Sequence, residues 1–205
     1  MKHTNFHDIV DQSMERGPVP LEEQVAVLRG LGLEVPEPNA DLDVDLGGGD
    51  YEILLGTIGW GEFNFDTDEW SPSSHQIFAF DAEVYSIENM YLNYLKGLQA
   101  ISQGELTFSD VSQDNSKVDW DEPGGTVDVS FRINGTQCRY RAQFQGDWLD
   151  VRIRNAVNAH LEKLGVEKRF YATPGMQGEI VFFCTEEWAE RFEAATLCYM
   201  SDRTI

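Results

Sequence analysis

Long apolar segments are missing from this sequence of 205 residues. No run approaches the roughly 20 consecutive apolar residues that a membrane-spanning helix needs. Residues 1–8 also lack the apolar core of a secretory signal peptide. We therefore expect a cytoplasmic protein that has no membrane partner.

Cysteine is scarce as well. Cys138, Cys184 and Cys198 are odd in number and far apart in the chain. This pattern predicts reduced, buried thiols rather than a disulfide framework. The cysteines and histidines show no zinc-ligand spacing, so no structural zinc site is expected.

Basic residues are few. The chain has 36 Asp and Glu but only 15 Lys and Arg, which gives a formal net charge of -21. The whole excess lies in residues 1–131, because residues 132–205 contain ten acids and ten bases. Binding to nucleic-acid phosphates or to an anionic membrane surface needs the opposite sign, so both are excluded as partners. A negative field of this size attracts a basic protein, a polyamine or divalent cations, and it equally serves solubility alone.

The apolar periodicity that is present predicts an α+β protein. Helices are predicted at 21–31, 87–102, 148–164 and after residue 185, with Ser86 and Thr185 as the N-caps of the second and the last. Strands are predicted at 51–58, around 63–65, and at 77–84, 106–112, 126–133, 136–145, 170–172 and 179–184. The C-terminal half is thus ordered ββ(β)αββα, and we expect a mainly antiparallel sheet with helices packed on one face.

Asn134-Gly135 is the strongest local signal. Asn-Gly between two alternating segments favours a two-residue hairpin loop, because a type I′ turn needs positive φ at both central residues. This turn fixes the register of the two strands. The pairs predicted to share one apolar face are Ile133 with Thr136, Phe131 with Cys138, Val129 with Tyr140, and Val127 with Ala142; Asp128 faces Arg141 on the other side.

The predicted domain organisation is one α+β domain over residues 20–198, with a sub-boundary near residue 104 as the alternative. Gly17-Pro18 interrupts the chain before this domain, and Gly104 ends the predicted helix at the sub-boundary. Residues 1–19 are expected to form a poorly ordered tail or a short helix, and residues 199–205 a C-terminal tail.

An acidic loop offers a candidate metal site. Asp41, Asp43, Asp45 and Glu52 stand at positions one, three, five and twelve of an EF-hand loop. Leu46 occupies the position where that loop requires glycine, so an EF-hand is not predicted. An irregular site for a divalent cation such as calcium and a solvated acidic loop remain as alternatives. No other cofactor is expected.

Segment 60–70 interleaves aromatic and acidic side chains. Exposed aromatic residues would anchor a contact, and the acids would steer a basic partner onto it. The candidate partner-binding residues here and in a second acidic pair are Trp60, Asp66, Asp68, Glu69, Trp70, Asp119 and Asp121. Simple alternation favours a structural interpretation, in which Phe63 and Phe65 point into the core.

Three function classes are compatible with the sequence. The favoured one is an acidic module that binds or neutralises a basic protein, as bacterial toxin-immunity proteins and nucleic-acid mimics do. The alternatives are a small cytoplasmic hydrolase that uses acidic residues, with or without a divalent cation, and a structural or assembly protein. No catalytic residue is assigned. Paired carboxylates need a spatial separation that sequence does not supply, and His160 lies on an apolar helical stripe typical of a hydrogen-bonded core histidine.

Overall fold

The computed structural model describes residues 6–36, 51–120, 124–174 and 177–204. The helices in these ranges are α1 Phe6–Arg16, α2 Leu21–Gly30, α3 Tyr51–Gly59, α4 Met90–Ile101 (preceded by a 3₁₀ turn, Ile87–Asn89), α5 Ile153–Lys163 and α6 Glu186–Thr196. The strands are β1 Glu62–Asn64, β2 Glu69–Ser71, β3 Phe78–Asp81, β4 Phe108–Asp119, β5 Gly124–Ile133, β6 Thr136–Gln143, β7 Arg169–Pro174 and β8 Gly178–Cys184.

The strands form three antiparallel sheets within the described ranges. They are the two-stranded β1-β2 sheet and the three-stranded sheets β3-β8-β7 and β4-β5-β6. The second half of the chain runs through β4, β5, β6, α5, β7, β8 and α6 in that order. The predicted α+β class, the mainly antiparallel pairing and the C-terminal element order are therefore confirmed.

The β5-β6 hairpin has the register predicted from Asn134-Gly135. Ile133 pairs with Thr136 and Asp128 with Arg141, and every predicted pair between them is present. Both turn residues have positive φ, 48° at Asn134 and 79° at Gly135. One face of β5 is buried through Val127, Val129, Phe131 and Ile133. The turn and the hydrophobic alternation thus specify the same pairing.

The β3-β8-β7 sheet is apolar on both faces. Phe78, Phe170 and Val181 on one face belong to the core shared with α4, α5 and the β4-β5-β6 sheet. Ala79, Ile180 and Phe182 on the other face belong to a second core, formed with α2, α3 and α6. This sheet therefore lies between two hydrophobic layers.

The strand predicted at 51–58 is wrong, because this segment forms helix α3. Tyr51, Leu54, Leu55 and Ile58 are buried, at the i, i+3, i+4 and i+7 spacing of one helical face. The backbone of α3 lies close to β3, since a Cβ at Gly59 would lie 2.8 Å from the amide nitrogen of Ala79.

Two helix starts also differ in detail from the predictions. α5 begins at Ile153 rather than near residue 148, because Trp148 bridges Glu83 and the Leu149 amide donates to the carbonyl of Ala82 at 2.7 Å. Ser86 precedes the 3₁₀ turn without a side-chain capping hydrogen bond. Thr185 caps α6 as predicted, accepting from the Trp188 amide at 3.3 Å.

The three cysteines are all buried, in agreement with the predicted buried thiols. Among the helices of the described ranges, none has the length and apolar character needed to cross a bilayer.

Candidate functional site

The β1-β2 hairpin presents the predicted aromatic and acidic segment. Phe63 pairs with Trp70 and Asn64 with Glu69 across the two short strands. The loop between them is held by the Asn64 side chain, whose Oδ1 accepts the Asp66 amide at 2.9 Å. Asp68 adopts a positive φ of 54°, a conformation that aspartate tolerates better than most residues. The local geometry thus turns the loop carboxylates outward, where they are exposed.

Hydrogen bonds fix this hairpin to the neighbouring helices. Asn93 of α4 donates its Nδ2 to the carbonyl of Asp68 at 3.2 Å and accepts the Trp70 amide at Oδ1 at 3.3 Å. The Ser73 hydroxyl donates to the Ile58 carbonyl of α3 at 2.6 Å. The Trp70 indole donates to the Trp60 carbonyl at 2.8 Å. Hydrogen bonds to α3 and α4 therefore position the hairpin in addition to the pairing of its two short strands.

Three aromatic side chains form an exposed aromatic cluster, Phe63, Phe65 and Tyr85. Their ring centroids are 5.1 to 5.7 Å apart, with tilted or edge-on geometry. Phe65 is 70% exposed and Tyr85 is 76% exposed, while neighbouring Trp60 is 51% exposed. The interpretation that Phe65 points into the core is wrong. The Phe65 ring packs at the surface, because each strand of the hairpin is only three residues long and the loop that carries Phe65 lies outside the core.

An aromatic cleft lies beneath this cluster. It has a volume of about 640 Å³, part of it open to solvent. Its apolar lining comes from Trp60, Phe63, Trp70, Phe78, Phe80, Val84, Tyr85, Met90, Tyr94 and Leu149. Its polar side chains are those of Asp81, Glu83, Ser86 and Asn93, and the lining contains no Lys, Arg or His. The cleft is thus apolar and aromatic inside, with carboxylates as its only ionisable charge near neutral pH.

A second groove adjoins the aromatic cleft. It runs between α3 and strands β3 and β8, has a volume of about 1380 Å³ that includes open solvent, and shares Trp60, Gly61, Phe80 and Asp81 with the cleft. Glu52 and Glu179 lie along it. Of these two acids, Glu179 is paired with Arg154.

The predicted partner-binding residues fall into two groups. Five of them, Trp60, Asp66, Asp68, Glu69 and Trp70, meet at the β1-β2 hairpin, where all but the half-buried Trp70 are exposed. Asp119 is exposed at the end of β4, which belongs to a different sheet. Asp121 lies outside the described residues.

Segment 80–86 contributes surface residues that the sequence prediction missed. Asp81, Glu83 and Tyr85 all line the aromatic cleft. Part of the signal was in the sequence, because alternation through the predicted strand 77–84 places Asp81 and Glu83 on the same side of the chain. The Asp81 side chain accepts the Glu83 amide at 2.9 Å, which fixes the turn that exposes Glu83 and Tyr85.

Most of the candidate metal ligands lie outside the described residues, namely Asp41, Asp43 and Asp45. Glu52 is exposed in the first turn of α3. Among the residues that the structure describes, no three His, Cys, Asp or Glu side chains are grouped closely enough to hold a metal ion.

His160 is half-buried on α5, and burial followed by the charge of Lys163 lowers its pKa. Its Nε2 is buried and has no hydrogen-bond partner within the described ranges, so the predicted hydrogen-bonded core histidine is not formed at that nitrogen.

A buried charge pair involves Glu179, which also lines the second groove. Arg154 donates from Nε and Nη2 to the two carboxylate oxygens of Glu179, at 3.0 and 2.9 Å. Its Nη1 donates to the carbonyls of Phe170 and Ser201. These contacts join α5 to β7, β8 and the chain after α6. Arg154 is thus engaged in holding elements together rather than being available to an anion.

Comparisons of this chain with protein-family models, with curated proteins and with solved structures gave no match.

Proposed function

We propose that the protein is a binding module for a basic protein partner, which it engages through the β1-β2 hairpin and the aromatic cleft. The observation that carries this proposal is the exposed aromatic cluster, surrounded by carboxylates. Large exposed aromatic side chains are uncommon away from interaction sites when they are grouped, and they are the residues that most often dominate binding energy.

The charges around the cluster favour a basic partner. Asp66, Asp68 and Glu69 make no ion pair with any described residue. Between residues 34 and 128 the only bases are Lys96 and Lys117, and Lys117 already pairs with Asp128. A negative surface attracts positive charge and repels acidic proteins. Neither the hydrolase nor the assembly alternative has a comparable supporting observation among the described residues.

A low-salt pull-down from native lysate with four forms of the tagged protein tests the proposal. The forms are wild type, the double variant Phe65→Ala/Tyr85→Ala, the double charge reversal Asp66→Lys/Asp68→Lys, and the control Glu187→Lys/Glu190→Lys. The control carries the same change in net charge at exposed positions of α6.

We expect wild type and control to retain the same basic protein near stoichiometry, and both hairpin variants to lose it. Retention should fall steeply as salt rises, because exposed charges are screened. Equal retention by all four forms, or a retained partner that is acidic, would contradict the proposal.

A further inference from the structure

The aromatic cleft combines two features that together select a cationic side chain. Its walls are aromatic, since Phe80 lies 4.9 Å from Tyr94 and 5.2 Å from Phe78 between ring centroids, and Trp70 lies 4.9 Å from Phe78. The exposed rings of Trp60 and Tyr85 also line the cleft. Aromatic faces attract cations placed over them. A wholly apolar occupant would use these walls but would leave the carboxylates of the cleft desolvated without a partner, which is costly.

The carboxylates of the cleft are available to such a cation. Asp81 accepts only the Glu83 amide, through Oδ1, among the described residues. Among the described residues, the exposed Glu83 makes its contacts through its backbone, by that hydrogen bond and by the bridge to Trp148. Neither forms an ion pair within the described ranges. The two acids are two residues apart and line the same cleft as Tyr85.

We propose that this cleft receives an arginine side chain of the basic partner, stacked against the aromatic walls and paired with Asp81 and Glu83. This inference rests on the proposed function and names the group that the binding site recognises. A guanidinium is planar, so it stacks on rings and donates bidentately to a carboxylate. It is also more weakly hydrated than the ammonium of lysine, so it enters an apolar cleft at smaller cost. Arginine is among the residues that most often anchor interfaces.

Titration with small amides tests the inference without knowledge of the partner. The probes are arginine amide, lysine amide and norleucine amide, and the readout is the ¹H–¹⁵N spectrum, in which the indole signals of Trp60 and Trp70 report on the cleft. We expect saturable shifts at these indoles with arginine amide and binding about three- to tenfold weaker with lysine amide. Norleucine amide, which has no charge on its side chain, should bind more weakly still.

Variants identify the groups that hold the probe. Asp81→Asn/Glu83→Gln should weaken arginine amide binding about tenfold and leave norleucine amide unchanged. Tyr85→Leu keeps an apolar surface but removes a ring face, so it should also weaken arginine amide binding. Glu187→Gln/Glu190→Gln on α6 serves as the control for the loss of two charges and should bind like wild type.

The outcomes separate this inference from the proposed function. Equal affinity for arginine and norleucine amides, or full binding by Asp81→Asn/Glu83→Gln, would overturn the arginine site. The proposed binding module would still be supported if the Asp66→Lys/Asp68→Lys variant fails to retain a basic partner in the pull-down. If arginine amide binds as expected while all four forms in the pull-down behave alike, the cleft recognises arginine and the proposed function falls.

Discussion

At the scale of single residues, Tyr91 and Tyr94 of α4 differ in their hydrogen bonding, although both are buried. The Tyr91 hydroxyl accepts the Asp150 amide at 3.2 Å, whereas the Tyr94 hydroxyl has no partner among the described residues. We predict that Tyr91→Phe lowers the free energy of unfolding by about 1–3 kcal/mol, because it leaves a buried amide unpaired. Tyr94→Phe should leave this free energy unchanged or raise it, since it removes an unsatisfied hydroxyl. Urea denaturation of both variants checks this, and an equal loss in both would contradict it.

The lowered pKa of Asp150 predicts how the free energy of unfolding depends on pH. Its carboxylate accepts hydrogen bonds from Tyr140 at 2.8 Å, from the Gln143 amide at 3.1 Å and from Arg152 Nε at 2.7 Å. Burial by itself would raise the Asp150 pKa, but the donors, Arg152 foremost, outweigh burial and lower it below the ordinary 3.8. The stability that this group contributes is therefore present above pH 3.8 and is lost as pH falls through the lowered pKa.

Asp150→Asn should accordingly lower the free energy of unfolding by about 2 kcal/mol at neutral pH. The difference from wild type should shrink progressively below pH 3.8, as Asp150 of the wild type becomes protonated. Urea midpoints of both proteins, measured at neutral and acid pH, give this difference. If the difference in unfolding free energy between the two proteins stays constant down to the most acid condition, the stabilising role of the Asp150 carboxylate is contradicted.

At the scale of elements, Asn134 connects the β5-β6 turn to the chain before β4. Its Oδ1 accepts the Thr107 amide at 2.8 Å, and its Nδ2 donates to the Glu105 carbonyl at 3.3 Å. Asn134→Gly keeps the positive φ but removes both contacts, so we predict a loss of about 1–2 kcal/mol in the free energy of unfolding. Asn134→Ala should lose more, because alanine at positive φ adds backbone strain. Thermal or urea denaturation distinguishes the two, and a wild-type value for Asn134→Gly would show that the contacts contribute nothing.

The same scale explains which elements were predictable from sequence. The register of β5 and β6 follows from the two-residue turn that Asn134-Gly135 favours, and the structure confirms it pair by pair. Segment 51–58 was misassigned because a short apolar run fits a buried strand and a buried helix equally well. The spacing of Tyr51, Leu54, Leu55 and Ile58 fits a helical face, and the helix packs against β3 and β8.

The candidate site was predictable only in part. Trp60, Asp66 and Glu69 are exposed in the segment that sequence singled out. Their neighbours Asp81 and Tyr85 come from a later segment, brought there by the pairing of β3 with β8. Alternation along the segment predicted that Phe65 points into the core. Strand β1 ends one residue before Phe65, so the alternation does not apply to this side chain, which is exposed.

At the scale of the whole molecule, the net charge of -21 should make stability increase with salt. Like charges in one chain repel one another more strongly in the compact state, and salt screens this repulsion. We predict that the unfolding temperature rises with sodium chloride between about 10 mM and 1 M, over which the screening length falls from about 30 to 3 Å. The neutralised variant Asp66→Asn/Asp68→Asn/Glu69→Gln should show a smaller rise. An unfolding temperature independent of salt in both proteins would contradict this expectation.

The position of β8 between β3 and β7 has a consequence for the order of folding. Asp81 and Gly178 are paired although they lie roughly a hundred positions apart, whereas β5 and β6 are joined by a two-residue turn. Closing the longer loop costs more chain entropy before any contact compensates for it. We therefore expect the β5-β6 hairpin to gain protection from hydrogen exchange early in refolding, and β3 to gain it later. Pulse-labelling during refolding tests this order, and simultaneous protection of β3 and β5 would contradict it. Because β3 carries Phe80 and Asp81, the aromatic cleft would then be assembled only after the long-range pairing of β3 with β8 forms.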